Sequence, residues 1–261
     1  MTLTPTTTHP LHVRTLADAD ALGEAAALVA ADRLRTAVAE RGRARLMLAA
    51  APSQSATLRW LVRADGIAWD RVEAFHMDDY VGLDPAAPQG FGTWLHTHLL
   101  DHVGMGRFHR IDATRPADEA AAAYREAMGE EEFDVVLCGL GVNGHLAFND
   151  PPADLADPLS ARVVELDEVS RQQQVDEGHF PELDAVPPHA VTVTIPRLLH
   201  TRTVVASVPT AAKREAVRQT LGEPVSGAHP GTALRTHPDV HLFLDPSSDP
   251  DSDPASDPAA A

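Results

Sequence analysis

The chain has 261 residues, of which 44% are hydrophobic, and its formal net charge is −17. Length and composition suffice for one large hydrophobic core or two small ones. The negative charge argues against a broad surface for nucleic acid or for anionic membranes, while a local positive pocket for a small anion remains compatible with it.

The single cysteine, Cys138, excludes an internal disulfide framework and fits a reducing compartment. The amino-terminal segment MTLTPTTTHPLHVRTL lacks a basic stretch followed by an apolar run, so no signal peptide is expected. No apolar stretch is long enough to span a bilayer. We therefore expect a cytoplasmic protein.

Short apolar segments alternate along the chain with longer amphipathic ones. Helical spacing predicts helices over 17–41, 54–64, 94–103, 117–128 and 211–221, the last with Thr210 as its N-cap. Strands are predicted over 43–50, 71–77, 133–138, 162–166, 190–195, 203–208 and 240–244. The alternation indicates a doubly wound α/β fold, a mainly parallel sheet with helices on both faces. In such folds ligands bind at the carboxyl ends of the strands.

Residues 1–244 are predicted to form a single domain, because no Gly/Ser-rich or Pro-rich linker interrupts the middle of the chain. The last segment, 245–261, contains only Asp, Pro, Ser and Ala, with five Asp. It has no large apolar side chain to bury, so we expect a disordered acidic tail. The body remains acidic without it.

A glycine-rich segment, GLGVNGH, follows the strand 133–138 and ends at His145. The glycine spacing matches the dinucleotide-binding fingerprint G-x-G-x-x-G, which requires a helix directly after the glycines. Three prolines follow instead, the first at Pro151, and they leave no room for such a helix. We therefore interpret the segment as a loop at a strand end and reject a dinucleotide cofactor.

This loop presents His145 among Asn143, Asn149 and Asp150. An imidazole is suited to moving protons near neutral pH, and a neighbouring carboxylate fixes its tautomer and raises its basicity. The alternative interpretation is a structural loop whose polar side chains cap the backbone. Histidine, aspartate and asparagine together with three glycines at a strand end favour chemistry.

A second strand end, in VEAFHMDDYVGL, carries the adjacent carboxylates Asp78 and Asp79. Neighbouring side chains of an extended chain point in opposite directions, so only one of them can face a pocket. The other is expected to cap the turn before Gly82. A carboxylate in a partly desolvated pocket gains basicity and can accept a proton from carbon.

The fourteen histidines show no His-Glu-x-x-His pattern, so no metal site is predicted. Cys138 lies inside an apolar strand and is interpreted as a small core residue. No Gly-x-Ser-x-Gly elbow surrounds Ser53 or Ser55, which argues against a hydrolase nucleophile there.

The two strand-end segments together resemble the glucosamine-6-phosphate deaminase/isomerase family. FHMDDYVGLD is similar to the family's F-x-M-D-E-Y-x-G-L, and GLGVNGHLAFNDPP to its G-x-G-x-[DN]-G-H-x-A-F-N-E-P loop. LAAAPSQSATL stands in the place of the family's phosphate loop, and SRQQQ, HAVTVTIPRLL and SVPTAAKREAV follow in matching order. The likeness spans residues 45 to 244.

The resemblance implies an enzyme that converts glucosamine 6-phosphate and water to fructose 6-phosphate and ammonia, without a metal or an organic cofactor. It implies that Asp78 moves a proton from C2 to C1. It also implies that His145 assists ring opening, with support from Asn143 and Asp150. Such chemistry needs an acid and a base at the ring and a separately placed carboxylate at carbon.

The resemblance also implies a set of substrate- and phosphate-binding residues: Ser53, Gln54, Ser55, Gly144, Arg171 and Lys213. Hydroxyl groups at a helix start and two cations suit a phosphate. Lys213 lies in the first turn of a predicted helix, where the dipole disfavours a cation, and a bound phosphate would resolve this conflict. For Arg171 alone, a surface salt bridge is an equally good interpretation.

The chain departs from the family pattern at three places. Asp150 replaces a longer Glu, Asn143 stands where some members have Asp, and 50–52 is Ala-Ala-Pro where glycines are usual. A displaced carboxylate lowers the rate, and non-glycine residues restrict the loop to negative φ. These departures bear on the substrate and on catalytic efficiency, and not on the fold.

Two other functions remain compatible with the sequence. One is a sugar-lactone hydrolase resembling 6-phosphogluconolactonase, a family that usually has a Thr/Ser-rich stretch after the loop and lacks the MDDY strand end. The other is a sugar-phosphate sensor without turnover. The expected partner is a hexosamine 6-phosphate, the sequence is compatible with a homo-oligomer, and no allosteric activator site is predicted.

Overall fold

Ten strands and seven helices are formed within residues 7–252, the part of the chain that the computed structural model describes. The strands are β1 (His12–Thr15), β2 (Ala44–Leu48), β3 (Val72–His76), β4 (Asp78–Tyr80), β5 (Arg107–His109), β6 (Phe133–Cys138), β7 (Ala161–Glu165), β8 (His189–Val193), β9 (Thr201–Val208) and β10 (Val240–Leu244). The helices are α1 (Ala19–Arg41), α2 (Ser55–Arg63), α3 (Phe91–His98), α4 (Ala117–Met128), α5 (Glu168–Asp176), α6 (Ile195–Leu198) and α7 (Arg214–Gly222).

The main sheet has seven parallel strands in the order β1-β10-β9-β6-β2-β3-β5. From β2 the chain moves outward to β3 and β5, then returns to β6 on the other side of β2. The strand order therefore reverses between β2 and β6, and the loops that follow these two strands diverge. A crevice at such a switch point is the usual ligand site of an open parallel sheet.

Side chains alternate between two hydrophobic clusters along the central strands. Leu46 and Leu48 of β2 pack in the cluster that contains the buried face of α1, whereas Met47 packs in the cluster that contains α4. Alternation with a period of two places helices against both faces of the sheet. The predicted doubly wound, mainly parallel architecture is confirmed.

A second sheet of three antiparallel strands, in the order β4-β8-β7, lies beside the first. The predicted strands at 162–166 and 190–195 exist, but they belong to this small sheet and not to crossover units. One residue, Met77, separates β3 from β4, and its carbonyl oxygen accepts a hydrogen bond of 2.7 Å from the Val193 N–H. The chain thus passes from one sheet to the other directly before Asp78.

Two helix boundaries differ from the prediction. The helix expected over 94–103 begins at Phe91 and ends at His98, because Leu99 leaves the helical region with φ of −141°. Thr210 makes no side-chain cap for the following helix and has φ of 83°; its N–H instead donates to the Asp245 carboxylate at 3.0 Å. The predicted Thr210 N-cap is therefore wrong.

The acidic tail is predicted to be disordered from residue 245 onwards, and this starting point is wrong. Residues 245–252 pack against the body, and Asp245 and Ser248 are buried there. The Arg214 guanidinium donates to four backbone carbonyl oxygens of this segment. Hydrogen bonding from one arginine orders a stretch that has no apolar side chains to bury. Residues 253–261 lie outside the described part.

Among the helices described between residues 7 and 252, none has both the length and the apolar character needed to cross a bilayer.

Close packing of α1 on α2 gives a stability prediction. A Cβ at Gly23 would overlap Ala56 and come within 2.8 Å of the Thr57 nitrogen, so Gly23→Ala would force the helices apart. We expect the free energy of unfolding to fall by about 1–3 kcal/mol, measured by urea denaturation. Gly104→Ala is the control, because its Cβ would meet nothing within 4 Å, and it should change stability by less than about 1 kcal/mol. Equal stability of the two variants would contradict this close approach.

Candidate active site

A cavity of about 60 Å³ opens at the carboxyl ends of β2 and β6, where the strand order reverses. Four of the residues singled out in the sequence line it together: Ser53, Asp78, His145 and Lys213. It adjoins a wider outer pocket of about 760 Å³, and Ser53 and Lys213 line both. The two strand-end segments therefore converge on one site, as the sequence predicts.

Only one of the two adjacent aspartates faces this cavity. Asp78 lines it, whereas the Asp79 carboxylate accepts hydrogen bonds from the backbone N–H groups of Phe91 and Gly92 at 3.0 and 3.2 Å. Asp79 thus caps the start of α3 and not the turn at Gly82. The strand alternation of β4 separates a structural carboxylate from one that is available for chemistry.

Burial raises the pKa of Asp78 well above its ordinary value, and the charge of neighbouring Asp79 raises it further. Asp78 is only 7% exposed to solvent. A carboxylate with a raised pKa is a stronger base than a solvated one, so Asp78 is suited to accepting a proton from carbon.

The imidazole of His145 lies directly against the backbone of Gly141. A Cβ at Gly141 would overlap the ring atoms Cε1, Nε2 and Cδ2 of His145. Gly144, with φ of +83°, takes a left-handed conformation that favours glycine, and its carbonyl oxygen accepts from the Gly231 N–H at 2.9 Å. Gly144 thus allows the turn, and Gly141 allows the close approach of the imidazole. Residues 139–160 contain no helix, as the prolines of this segment predict.

A hydrogen-bond network behind His145 fixes its orientation. Nδ1 of His145 lies 3.0 Å from both the Asp150 carboxylate and the Ser170 hydroxyl, and that hydroxyl also donates to Asp150. Asn143 donates to Asp150 at 3.3 Å. The shorter Asp150 thus still reaches the imidazole. With Nδ1 engaged, Nε2 is the ring nitrogen that faces Gly141 and the cavity.

Burial by itself raises the pKa of Asp150. The hydrogen bond and charge of His145, with hydrogen bonds from Ser170 and Asn143, outweigh burial and lower this pKa to about 2. Asp150 is therefore ionised at neutral pH and favours a proton on Nδ1 of His145. Asn143 and Asp150 do not line the cavity; they support the residue that does.

The three residues predicted to bind phosphate in the loop after β2, residues 53–55, have different surroundings. Ser53 lines the cavity, whereas Gln54 is buried beneath it and donates to Ser53 Oγ at 3.1 Å and to the Ser207 carbonyl at 3.2 Å. Ser55 lines a separate surface pocket and not this cavity, and its contact with a ligand stays a prediction. Ala51 has φ of −157° and is extended, so the loop does not need glycine there.

Arg171 does not line the cavity in the structure, and its role in phosphate binding stays a prediction. Its guanidinium donates to the backbone carbonyl oxygens of Leu183 and Val186 at 2.6 and 3.3 Å. α5 turns this side chain away from the site and uses it to fasten the loop that follows. Gly144 likewise lies outside the cavity lining.

Lys213 is the sole Lys or Arg among the described residues that line the cavity. Burial lowers the pKa of Lys213, and the Glu177 carboxylate, 3.7 Å from Nζ, partly offsets this effect. On the sequence alone, Lys213 in the first turn of a helix needs a bound phosphate to offset the unfavourable helix dipole. In the structure Glu177 supplies the counter-charge.

The residues that sequence reasoning missed come mainly from α5 and its end: Ser170, Gln173, Gln174 and Glu177. The segment SRQQQVD has little apolar periodicity, so the sequence pattern does not predict a helix there. A capping signal was present, because Asp167 precedes the helix and its side chain accepts from the Ser170 N–H. Cys138 is buried, with its thiol pKa raised by burial to about 12, and is a core residue as predicted.

The doubly wound sheet and the carboxylate–imidazole cavity define an α/β protein suited to proton transfer on a small polar ligand. Residues 17–242 match the sequence model of the family described as glucosamine-6-phosphate isomerases/6-phosphogluconolactonase. Because the match covers most of the chain, the protein belongs to this family of enzymes.

Individual relatives agree with this assignment. The chain is 31% identical to a glucosamine-6-phosphate deaminase of Bacillus velezensis over 191 residues, which are 70% of this chain and 76% of that one. It is 28% identical to glucosamine-6-phosphate deaminase 1 of Bacillus subtilis over 233 residues, covering 86% and 92%.

Solved structures show the same architecture. A structure described as a monomeric glucosamine-6-phosphate deaminase superposes with a TM-score of 0.82 at 25% identity, covering 91% of this chain and 98% of that one. A 6-phosphogluconolactonase from Shewanella baltica gives a TM-score of 0.75 at 19% identity, covering 90% and 98%, which shows the shared fold.

The lowered pKa of Asp150 predicts a pH-dependent contribution to stability. The folded protein binds fewer protons at this site than the unfolded chain, so the stabilisation is present above about pH 4 and is lost as pH falls towards about 2. Asp150 has a side chain only 12% exposed. We expect Asp150→Asn to lower the free energy of unfolding at pH 7 by about 2 kcal/mol.

Denaturant unfolding between pH 7 and pH 2 measures this contribution, and the wild type and Asp150→Asn should converge in stability at low pH. The exposed Asp65 gives a matched control, since Asp65→Asn should change stability by less than about 0.5 kcal/mol. A constant gap between wild type and Asp150→Asn across the pH range would contradict the ionised Asp150.

Proposed function

We propose that the protein is a glucosamine-6-phosphate deaminase, which converts glucosamine 6-phosphate and water to fructose 6-phosphate and ammonia. The observation that carries this proposal is the convergence of Asp78 and His145 on one cavity at the switch point of the sheet. The relatives that span most of the chain and are named glucosamine-6-phosphate deaminases support it. The buried thiol of the single cysteine favours a cytoplasmic location.

Ring opening is the first step that the site supports. The anomeric hydroxyl must lose a proton and the ring oxygen must gain one. His145 can take the first proton on Nε2 and deliver it to the ring oxygen, because Asp150 and Ser170 hold Nδ1. The ionised Asp150 stabilises the imidazolium that exists between these two transfers.

Isomerisation follows in the open chain. Asp78 removes the proton from C2 while the aldehyde oxygen at C1 takes a proton from the substrate's ammonium group, which leaves an enolamine across C1 and C2. Asp78 then returns its proton to C1. The product is a protonated imine at C2, to which water adds; the adduct releases ammonia and a proton, so that fructose 6-phosphate remains. Because burial raises the pKa of Asp78, its carboxylate is a stronger base for the C2 proton.

The phosphate is proposed to lie between Ser53 and Lys213, at the junction of the cavity with the outer pocket. Ser53 offers a hydroxyl at the start of the turn that leads into α2, and Lys213 offers a charge. This binding set is smaller than the one that the sequence suggests, because Arg171 and Ser55 face elsewhere.

A lactone hydrolase is the main alternative, since 6-phosphogluconolactonases share the fold. Lactone hydrolysis transfers no proton from carbon and needs no carbon base. The buried Asp78 in the cavity therefore favours deamination over lactone hydrolysis.

Incubation of the purified protein with glucosamine 6-phosphate, with assays for ammonia and fructose 6-phosphate, tests the proposal. We expect both products in equal amounts. Galactosamine 6-phosphate and 6-phosphogluconolactone serve as competing substrates. Turnover of galactosamine 6-phosphate alone would show the sugar assignment to be wrong, and turnover of the lactone alone would establish the hydrolase. Tight binding of glucosamine 6-phosphate without formation of either product would favour a sugar-phosphate sensor without turnover.

The assignment of Asp78 predicts the effect of removing its charge. Asp78→Asn should lower kcat by at least about a thousandfold, because the amide cannot accept the C2 proton while the volume is nearly unchanged. Affinity for a sugar phosphate should remain within about threefold of wild type, measured by titration calorimetry.

Asp79→Asn is the matched control, because Asp79 caps α3 and does not line the cavity. It should lower the melting temperature and leave most of the turnover in the folded protein. Full activity of Asp78→Asn, or equal loss of kcat in both variants, would refute the assignment.

A further inference from the structure

Glu177 lies at the boundary between the catalytic cavity and the outer pocket, and it lines both. It follows directly after α5, and its Oε1 is 3.7 Å from Nζ of Lys213. The carboxylate therefore occupies a position beside the cation that an anionic ligand group would take.

Neighbouring groups hold this carboxylate in place. Gln173 donates from Nε2 to Glu177 Oε1 at 2.8 Å, while its own Oε1 accepts from the Val142 backbone N–H at 3.1 Å. His179 Nε2 lies 3.9 Å from the other carboxylate oxygen. Because Gln173 is anchored to the loop after β6, Glu177 is a positioned part of the site and not a loose surface side chain.

The charge balance of the site follows from this arrangement. Lys213 is the one Lys or Arg among the described residues that line either pocket, and Glu177 faces it. The outer pocket adds the carboxylates of Glu168 and Asp176. A phosphate that approaches Lys213 thus meets a cation whose charge is already compensated, with further negative charge around it.

We propose that Glu177 is a specificity-determining residue that competes with the phosphate group of the substrate for Lys213. The inference rests on the proposed function in placing a phosphate at Lys213. Phosphate binding then replaces the contact between Glu177 and Lys213. Affinity for phosphate esters is held below what Lys213 alone would give, and discrimination against the unphosphorylated aminosugar is reduced.

Two charge-neutralising substitutions at consecutive residues test this competition. Glu177→Gln removes the charge beside Lys213 and keeps the shape, whereas Asp176→Asn removes a charge that lines only the outer pocket. Titration calorimetry with inorganic phosphate gives Kd for each protein. We expect Glu177→Gln to lower Kd about tenfold, because a like charge within a few ångströms of the anion is lost. Asp176→Asn should change it by less than about twofold, because it is screened and more distant.

Lys213→Met in the Glu177→Gln background completes the test and should abolish the gain in phosphate affinity. An unchanged or raised Kd in Glu177→Gln would overturn the inference, since Glu177 would then position Lys213 and not compete for it. Equal gains in Glu177→Gln and Asp176→Asn would also overturn it, because net charge alone would explain them.

Phosphate binding requires no turnover, so the two proposals fail separately. If wild type produces no ammonia from glucosamine 6-phosphate and Glu177→Gln still tightens phosphate binding, the deaminase proposal falls and the competition stands. If ammonia is produced and phosphate affinity does not respond to Glu177→Gln, the competition falls and the deaminase stands. Where turnover is present, KM for glucosamine 6-phosphate should fall in Glu177→Gln while KM for free glucosamine stays near the wild-type value.

Discussion

The contact between the His145 imidazole and the backbone of Gly141 constrains the rest of the site. No side chain fits between the ring and this residue, so the loop after β6 has to fold back over its own beginning. That path brings Asp150 behind the imidazole, where Ser170 of α5 also contacts Nδ1, and directs Nε2 towards the cavity. A loop that carried any side chain at 141 would move the ring away from Asp78. The geometry of proton transfer therefore depends on the absence of a side chain at Gly141.

The architecture and the two reactive side chains were predictable because local sequence carries both. Buried strands such as 133–138 are continuous apolar runs, and polar residues that follow them must appear at one edge of a parallel sheet. By this rule, the sequence alone places Asp78 and His145 at the same edge. Strand alternation likewise predicts that only one of the two adjacent aspartates faces the pocket, and the structure shows that this is Asp78, whereas Asp79 caps α3.

The remaining features depend on contacts between distant segments, which no local pattern reports. The carbonyl oxygens of the loop after α5 set the direction of the Arg171 side chain. In the same way, hydrogen bonds from Arg214 hold residues 245–252 against the body. The small antiparallel sheet forms because β4 meets β8, far away in the chain. Glu177 is found beside Lys213 for the same reason, and its sequence context of polar residues gives no sign of a partly buried ion pair.

The edge of the main sheet has a consequence for the order of assembly. β1 (His12–Thr15) is hydrogen-bonded to β10 (Val240–Leu244), so the first strand within residues 7–252 can pair only after the last strand of this range has been synthesised. All four of its residues are exposed even in the finished sheet. A strand of this polar composition tolerates water during synthesis without inviting aggregation. This edge of the main sheet therefore closes only after synthesis has passed β10.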